Sequence, residues 1–272
     1  MITASIVTYQ TDPKQLRTVV ACAANSVVDR IYVVDNSPAP TLSDFARSLS
    51  PKIEYTHGQG NVGYGAAHNI AIRQAMTLGA KYHIVLNPDI QFNPDDIQKI
   101  AEYMDRNPDV GHTMPRVVYP NGELQYVCKL IPSPADLIFK RFLPSSWTNR
   151  SMRKFQLKFT DYNHEMNVPY LSGCFMFFRI AALKDVGLFD ERFFMYPEDI
   201  DITRRIHEKY RTMYYPAITI VHAHAAESKT SKKMLWIHIT NMIRYFNKWG
   251  WIFDSKRTAT NKTLLKELDY HE

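Results

Sequence analysis

Short apolar runs alternate with amphipathic stretches of helical period through the first part of the chain, the pattern of a mostly parallel sheet flanked by helices. Residues 4–9 read as a first strand. Asp12 then caps a helix with Pro13 at its first position, running to about residue 26. Residues 30–34 form a second buried strand that ends in Asp35-Asn36-Ser37, where Pro38 and Pro40 forbid extension. A third strand, 53–56, leads into His57-Gly58-Gln59-Gly60-Asn61-Val62-Gly63-Tyr64-Gly65. That loop opens a helix over 63–78, stopped by Gly79. The apolar run 83–86 is a fourth strand, cut by Asn87-Pro88-Asp89. A helix over 94–106 follows, with Ile97, Ile100, Ala101 and Met104 on one stripe. Strand 110–114 and a hairpin of 117–119 with 123–127 about an Asn121-Gly122 turn complete this half.

The second half has a different style. Residues 129–166 carry Pro132, Pro134 and Pro144 and mix Lys and Arg with Phe139, Phe142, Trp147, Phe155 and Phe159. This predicts a solvated, partly mobile insertion, with an interfacial element or acceptor-site lid as the functional alternative. No nucleic-acid-binding module is legible in it. Strand character returns at 169–178, and a short helix over 180–186 closes at Gly187. The next helix starts in acids (Glu198, Asp199, Asp201) and buries Ile202 and Ile206. Strands 212–215 and 218–221 flank Pro216, and the second ends in His222-Ala223-His224. Residues 231–253 are helical, with Leu235, Ile239, Met242, Phe246, Trp249 and Phe253 on one stripe and a polar, frayed tail after Arg257. That stripe either packs on the domain or, with Trp236, Trp249, Trp251 and flanking Lys and Arg, meets a membrane surface.

Composition changes the picture modestly. The net charge of +6 over 272 residues favours an anionic partner: nucleotide, nucleic acid or acidic membrane. Three cysteines, Cys22, Cys128 and Cys174, argue against a disulfide framework and for a reducing, cytoplasmic setting. The chain enters a strand at once, which predicts no signal peptide, and no apolar run approaches the ~18 residues that span a bilayer.

Four features carry candidate chemistry. Asp89 stands just past the carboxyl end of a strand, where open α/β sheets bind ligands, and Asp35 holds a similar place. The glycine-rich loop is either a tight turn with close helix packing or a diphosphate site at a helix N-terminus. It matches neither the dinucleotide fingerprint nor the P-loop. Glu198, Asp199 and Asp201 beside Phe193-Phe194-Met195-Tyr196 look like a pocket wall, against the alternative of an acidic first turn with an Asp201–Arg205 pair. His222 and His224 share a strand face and suggest a divalent-cation site without the spacing of structural zinc.

Taken in order, Val7-Thr8-Tyr9, Val34-Asp35-Asn36-Ser37, Gly60-Asn61-Val62-Gly63-Tyr64-Gly65 with Asn69, Leu86-Asn87-Pro88-Asp89, Ser172-Gly173, Phe189-Asp190-Glu191, Glu198-Asp199-Ile200-Asp201 and His222 with Ser228 resemble the family 2 inverting glycosyltransferases of GT-A fold. The nearest resemblance is to bacterial rhamnosyltransferase-like enzymes of surface polysaccharide synthesis, over residues 2–250. The resemblance implies a GT-A domain at 1–230, with a nucleotide-sugar half at 1–115 and an acceptor half at 116–230, then a C-terminal amphipathic helix and tail at 231–272. It implies that Thr8, Tyr9 and Asp35 meet the nucleoside, and that Gly60, Asn61, Gly63, Asn69 and Asn87 line the sugar-diphosphate. Asn87-Pro88-Asp89 stands for the family's Asp-x-Asp motif with Asn in the first place. Mg²⁺ or Mn²⁺ then relies on Asp89, the diphosphate and His222, or His224 in its stead. Asp199 is the implied general base, with Glu198 beside it and Asp201 in support. The implied partners are a nucleoside-diphosphate sugar (dTDP-rhamnose-like or UDP-linked), a glycan or lipid-linked glycan acceptor and an anionic membrane surface, with no nucleic acid. The implied place is cytoplasmic and peripheral on the inner membrane face. A sugar-phosphate nucleotidyltransferase and a non-catalytic nucleic-acid- or membrane-binding protein are the alternatives.

Overall fold

The computed structural model describes residues 1–137, 145–223 and 232–270, with backbone alone at 145–148 and 232–234. In chain order the elements are β1 (Ile2–Thr8), α1 (Pro13–Ala24), β2 (Arg30–Asp35), α2 (Ser43–Leu49), β3 (Ile53–Thr56), α3 (Tyr64–Thr77), β4 (Tyr82–Leu86), β5 (Ile90–Gln91), α4 (Asp95–Arg106) and β6 (Val110–Val118). They continue as β7 (Cys128–Lys129), α5 (Pro134–Leu137), α6 (Ser145–Phe155), β8 (Met166–Asn167), β9 (Tyr170–Leu171), β10 (Phe175–Arg179), α7 (Ile180–Val186), α8 (Glu198–His207), β11 (Arg211–His222), α9 (Lys232–Trp249) and α10 (Ser255–Glu267).

One mixed, mostly parallel sheet runs β3-β2-β1-β4-β10-β6-β11-β5, with β8 added to β11, and β7 pairs β9 separately. Strand residues alternate between two cores, as the two-residue pleat requires. Ala4, Ile6, Ile31, Val33, Ile84 and Leu86 face α1 and α4, while Tyr32, Val34 and Val85 face α3. Each fully buried Ile or Leu of these layers contributes about 1.5–3 kcal/mol. The α3 side also buries a polar ladder. Ser5 Oγ lies 2.7 Å from His68 Nδ1 and 2.8 Å from His83 Nε2, and Thr3 Oγ1 is 2.7 Å from His83 Nδ1.

The topology gathers one edge. β2 and β3 leave β1 on one side, and the chain returns through α3 to β4 on the other, so β1 and β4 flank a switch in strand order. Thr8, Asp35 and Leu86 end parallel strands there. β10 runs antiparallel, with Phe175 opposite Leu86, and brings Gly173 to the same edge. β11 runs parallel to β6, and its last residue, His222, pairs Ile90 of β5 just beyond Asp89.

Several expectations are corrected. Pro115 and Pro216 do not break their strands: β6 and β11 pair through them, with a register shift between Tyr215 and Thr219 taking up the irregularity. The hairpin shrinks to a Val118–Leu124 bridge around a turn closed by Gly122 N–H on Tyr119 O at 2.9 Å. Helix α2 was not anticipated, because it buries only Ala46 and so shows no apolar period. The described part of the 129–166 insertion is not merely solvated. Phe155, Leu157 and Tyr162 are buried, and Tyr162 OH donates to Cys128 O at 3.0 Å and Gln156 O at 2.7 Å. The tail after Arg257 is helix α10, capped by Asp254 and docked through buried Leu264.

Candidate active site

At the carboxyl end of β2, Asp35 is fully buried and its carboxylate is already shared. Oδ1 accepts from Thr8 Oγ1 and from Ser37 N–H, both at 3.0 Å, and Oδ2 accepts from the Tyr55 hydroxyl. Tyr55 is held protonated: burial raises its hydroxyl and the bond to Asp35 adds to this. Gln59 Nε2 donates to Asp35 O at 2.9 Å and to Asn36 Oδ1 at 3.2 Å. Tyr9 projects into solvent at the rim. Asp35 therefore organises this corner, with Tyr9 as the exposed surface.

The glycine-rich loop is fixed by close approach. Gly63 has φ +90°, and a Cβ there would sit 2.3 Å from Phe194 O, while the next residue, Tyr64, donates its N–H to that oxygen at 2.8 Å. Only glycine meets both demands. Gly60 and Asn61 precede it on the exposed side, and Asn61 Oδ1 accepts from Gly63 N–H at 3.2 Å. Asn69, buried in α3, is committed elsewhere. It donates to Phe189 O and Glu191 Oε1, both at 2.9 Å, and accepts from Phe189 N–H at 3.1 Å. It staples α3 to the Phe189-Asp190-Glu191 turn.

Asp89 Oδ1 and His222 Nε2 stand 3.3 Å apart, both largely buried. Gln125 orients the imidazole from behind: Oε1 lies 2.9 Å from Nδ1, and Nε2 donates to His222 O at 2.7 Å. Burial alone would lower His222, but the bonds to Asp89 and Cys174 dominate and push it up to about 10. A cation between them would displace the Nε2 proton, after which one carboxylate oxygen and one imidazole nitrogen converge on a point, with the imidazole held by its outer partner Gln125. No group of three or more His, Cys, Asp or Glu side chains placed to hold a metal ion by themselves occurs among the described residues. The pair fits a hard or borderline cation whose other positions come from phosphate oxygens and water. His224 and Ser228 lie outside the described residues.

Asp199 sits in the first turn of α8, partly exposed. Its Oδ2 accepts from Gly173 N–H at 3.1 Å and Oδ1 from Ile200 N–H at 2.8 Å. Burial raises its carboxyl, and the half-buried Lys129 on β7 opposes that rise. Lys129 is itself lowered by burial and donates to Tyr170 OH at 3.2 Å. Glu198 is buried with Oε2 unpartnered, and burial together with the Asp199 charge pushes it up. Burial and the neighbouring Asp199 charge therefore favour its protonated form, while Lys129 favours the charged form of Asp199. Asp201 faces away, shared by Arg205 Nε at 2.8 Å, Trp249 Nε1 at 2.8 Å and Lys248 Nζ at 2.6 Å. Its support is to the α8–α9 joint.

These groups lie along one line of contacts. From Asp199 it passes to Gly173, whose carbonyl accepts from Tyr64 OH at 2.7 Å. The same hydroxyl reaches Asn87 Oδ1 at 2.9 Å, and Asn87 Nδ2 lies 3.5 Å from His222 Nε2, beside Asp89. Tyr64, Gln125 and Lys129 are the members that sequence reasoning missed. Tyr64 sat in the quoted glycine loop, but its reach to Gly173 spans 109 positions. Gln125 and Lys129 carried no local signal.

The family model described as Glycosyl transferase family 2 matches residues 3–187. An N-acetylglucosaminyl-diphospho-decaprenol L-rhamnosyltransferase of Mycobacterium tuberculosis is 28% identical over 211 residues, 73% of this chain and 67% of that protein. Rhamnosyltransferase WbbL of Escherichia coli is 26% identical over 243 residues, 86% of each. Among solved structures, GalNAc-T7 with UDP, GalNAc and Mn²⁺ superposes with TM-score 0.62 at 14% identity, over 81% of this chain and 42% of that one. The mannosyltransferase PcManGT of Pyrobaculum calidifontis, in complex with GDP-Man and Mn²⁺, gives 0.57 at 14% identity, over 98% and 74%. These two likenesses establish the GT-A type of fold.

Proposed function

The chain belongs to glycosyl transferase family 2 and is a glycosyltransferase; from that premise we propose a metal-dependent inverting transfer from a nucleoside-diphosphate sugar to a lipid-linked glycan. The nucleotidyltransferase and non-catalytic alternatives fall with the family membership. The observation that carries the proposal is the line of contacts from Asp199 through Gly173, Tyr64 and Asn87 to the Asp89–His222 pair, which sets a candidate base and a candidate cation-binding pair at one sheet edge.

In this reading the acceptor hydroxyl oxygen attacks the anomeric carbon from the face opposite the nucleotide. Its proton passes to an Asp199 oxygen as the bond from carbon to the diphosphate oxygen breaks. Lys129 favours the ionised Asp199, and protonated Glu198 spares the pocket a second negative charge. Asp89 and His222 would hold Mg²⁺ or Mn²⁺, which would supply charge neutralisation for the departing diphosphate. The exposed flank of the Gly60–Gly63 loop and Tyr9 receive the nucleotide, with Asp35, Thr8 and Tyr55 setting that corner. A rhamnosyl donor and a polyprenyl-diphosphate-linked acceptor are favoured by the names of the relatives. Acceptors of that kind place the reaction at the cytoplasmic membrane face, and the free Cys22, Cys128 and Cys174 suit a reducing compartment.

Calorimetry with dTDP, UDP and GDP sugars, with and without Mn²⁺, tests the proposal. One sugar nucleotide should bind tightly only with the metal. His222→Ala should weaken the apparent Mn²⁺ affinity by about 10–100-fold. Metal-independent binding, or an unchanged Mn²⁺ titration in the variant, overturns the cation assignment.

A further inference from the structure

The C-terminal helical pair holds large apolar side chains out in water. Trp236, Thr240, Ile243 and Asn247 follow one another at helical spacing on the outer face of α9, and all are exposed, Trp236 by 70%. Trp251 continues the stripe: its Nε1 donates to Asn247 Oδ1 at 2.8 Å and its ring lies 5.3 Å from that of Phe246. Ile252 and Phe253 then form the tip between α9 and α10, 78% and 94% exposed.

This tip is rigid. Asp254 behind it pairs with buried Arg204 at 2.8 Å and caps α10 by accepting from Arg257 N–H at 2.9 Å. The Arg257 guanidinium returns to Ile252 O at 3.2 Å. The frame thus holds the backbone from which Ile252 and Phe253 project outward. Apolar side chains held so have a use at a surface that takes them up.

The stripe is also continuous with the site. Asn241 Nδ2 donates to Met195 O at 2.9 Å, and Arg244 to Arg192 O at 2.7 Å, so α9 grips the turn that leads into Glu198 and Asp199. Between them lies an open groove of about 420 Å³ lined by Phe194, Trp236, Ile237, Thr240, Asn241 and Arg244. Arg244 flanks the apolar positions, Lys256 does so with its charge shared by Glu208 at 3.0 Å, and the chain carries net +6. Tryptophan, aliphatic tip and basic flank together are the chemistry of a headgroup–acyl boundary.

We propose that the outer stripe of α9 and the Ile252-Phe253 tip seat the enzyme on an anionic lipid bilayer, with the groove beside Phe194 facing the lipid so that an acceptor arrives laterally at Asp199. The proposal rests on the lipid-linked acceptor reading above for its purpose, and on the exposed residues alone for the surface. The test is co-sedimentation of the full chain with vesicles of phosphatidylcholine, with and without phosphatidylglycerol. The double variant Ile252→Ser/Phe253→Ser is run beside it, since both side chains are free of packing. The parent should partition onto the anionic vesicles with a blue shift of tryptophan emission. The variant should lose about tenfold or more of that partition while keeping its melting midpoint and its turnover of a water-soluble acceptor. Equal partition of parent and variant, or none by either, overturns the anchor. A concentration-dependent dimer that the variant abolishes overturns it in favour of a second copy of the chain. Vesicle binding by a parent that transfers only to water-soluble glycans keeps the anchor and sinks the lipid-linked acceptor. Lipid-linked transfer without vesicle binding does the reverse.

Discussion

In the proposed mechanism Lys129 acts on the chemistry from a position away from the reacting atoms. Asp199 must be ionised to accept a proton, yet its burial favours the protonated form. The Lys129 charge works against that, from a two-stranded ribbon whose partner residue, Tyr170, holds the ammonium. Lys129→Met removes the counter-charge and raises the Asp199 carboxyl. The acidic limb of the pH profile of kcat/KM should therefore move to higher pH, with the alkaline limb unmoved. An unshifted acidic limb would mean that Lys129 does not act through Asp199.

At the scale of elements, α8 is the joint between chemistry and the C-terminal helices. Its first turn carries Asp199 and its buried face carries Arg204, which pairs with Asp254 at 2.8 Å and stacks 3.9 Å from the centre of the Trp249 ring. Both partners are almost wholly buried, so removing one leaves an uncompensated charge. Asp254→Ala should cost about 3–5 kcal/mol in urea unfolding and uncap α10. A loss below 1 kcal/mol, the scale of exposed pairs, would contradict this account of the joint. The elements themselves were largely legible. Asp12 and Pro13 marked α1, the Ile97 stripe marked α4, and strand ends at Asp35 and Leu86 stood where predicted. What could not be read has a physical reason. α2 is too short for a period, Pro115 and Pro216 are tolerated through long-range pairing, and α10 depends on an ion pair across 50 positions. The site divides the same way. Asp89, His222 and Asp199 were visible as acids and imidazole at element ends, whereas Tyr64, Gln125 and Lys129 become functional only when distant strands meet.

At the scale of the whole molecule, the sheet buries imidazoles that must stay neutral. Burial lowers His83 and His112 to about 3 and takes His68 well below its usual range, with His83 adding to the effect. In the unfolded chain these rings take up protons below about 6.5, and in the fold they do not. The unfolded state then binds more protons, so stability is full above that pH and falls as pH drops. The slope is up to ~1.4 kcal/mol per pH unit for each ring. Glu198, pushed up by burial and by Asp199, works in the opposite sense as its unfolded-state carboxyl ionises. Asp199, also raised, adds to Glu198, and His207, lowered by burial to about 4, adds to the three sheet imidazoles; two carboxyls are outweighed by four imidazoles, and the net is loss of stability below about pH 6. Urea midpoints measured from pH 7 to pH 4 should decline steadily; a flat profile would contradict the neutral, buried assignment.

The central claim is that Asp199 takes the proton of the acceptor in a site whose other parts bind the donor. The most direct measurement is single-turnover transfer by Asp199→Asn with the bound sugar nucleotide and Mn²⁺ quantified in the same samples. Asparagine preserves the size and can still accept from Gly173 N–H, so donor and metal should bind as in the parent while transfer falls by about 10²–10⁴-fold. Transfer at the parental rate with the donor bound would contradict the account.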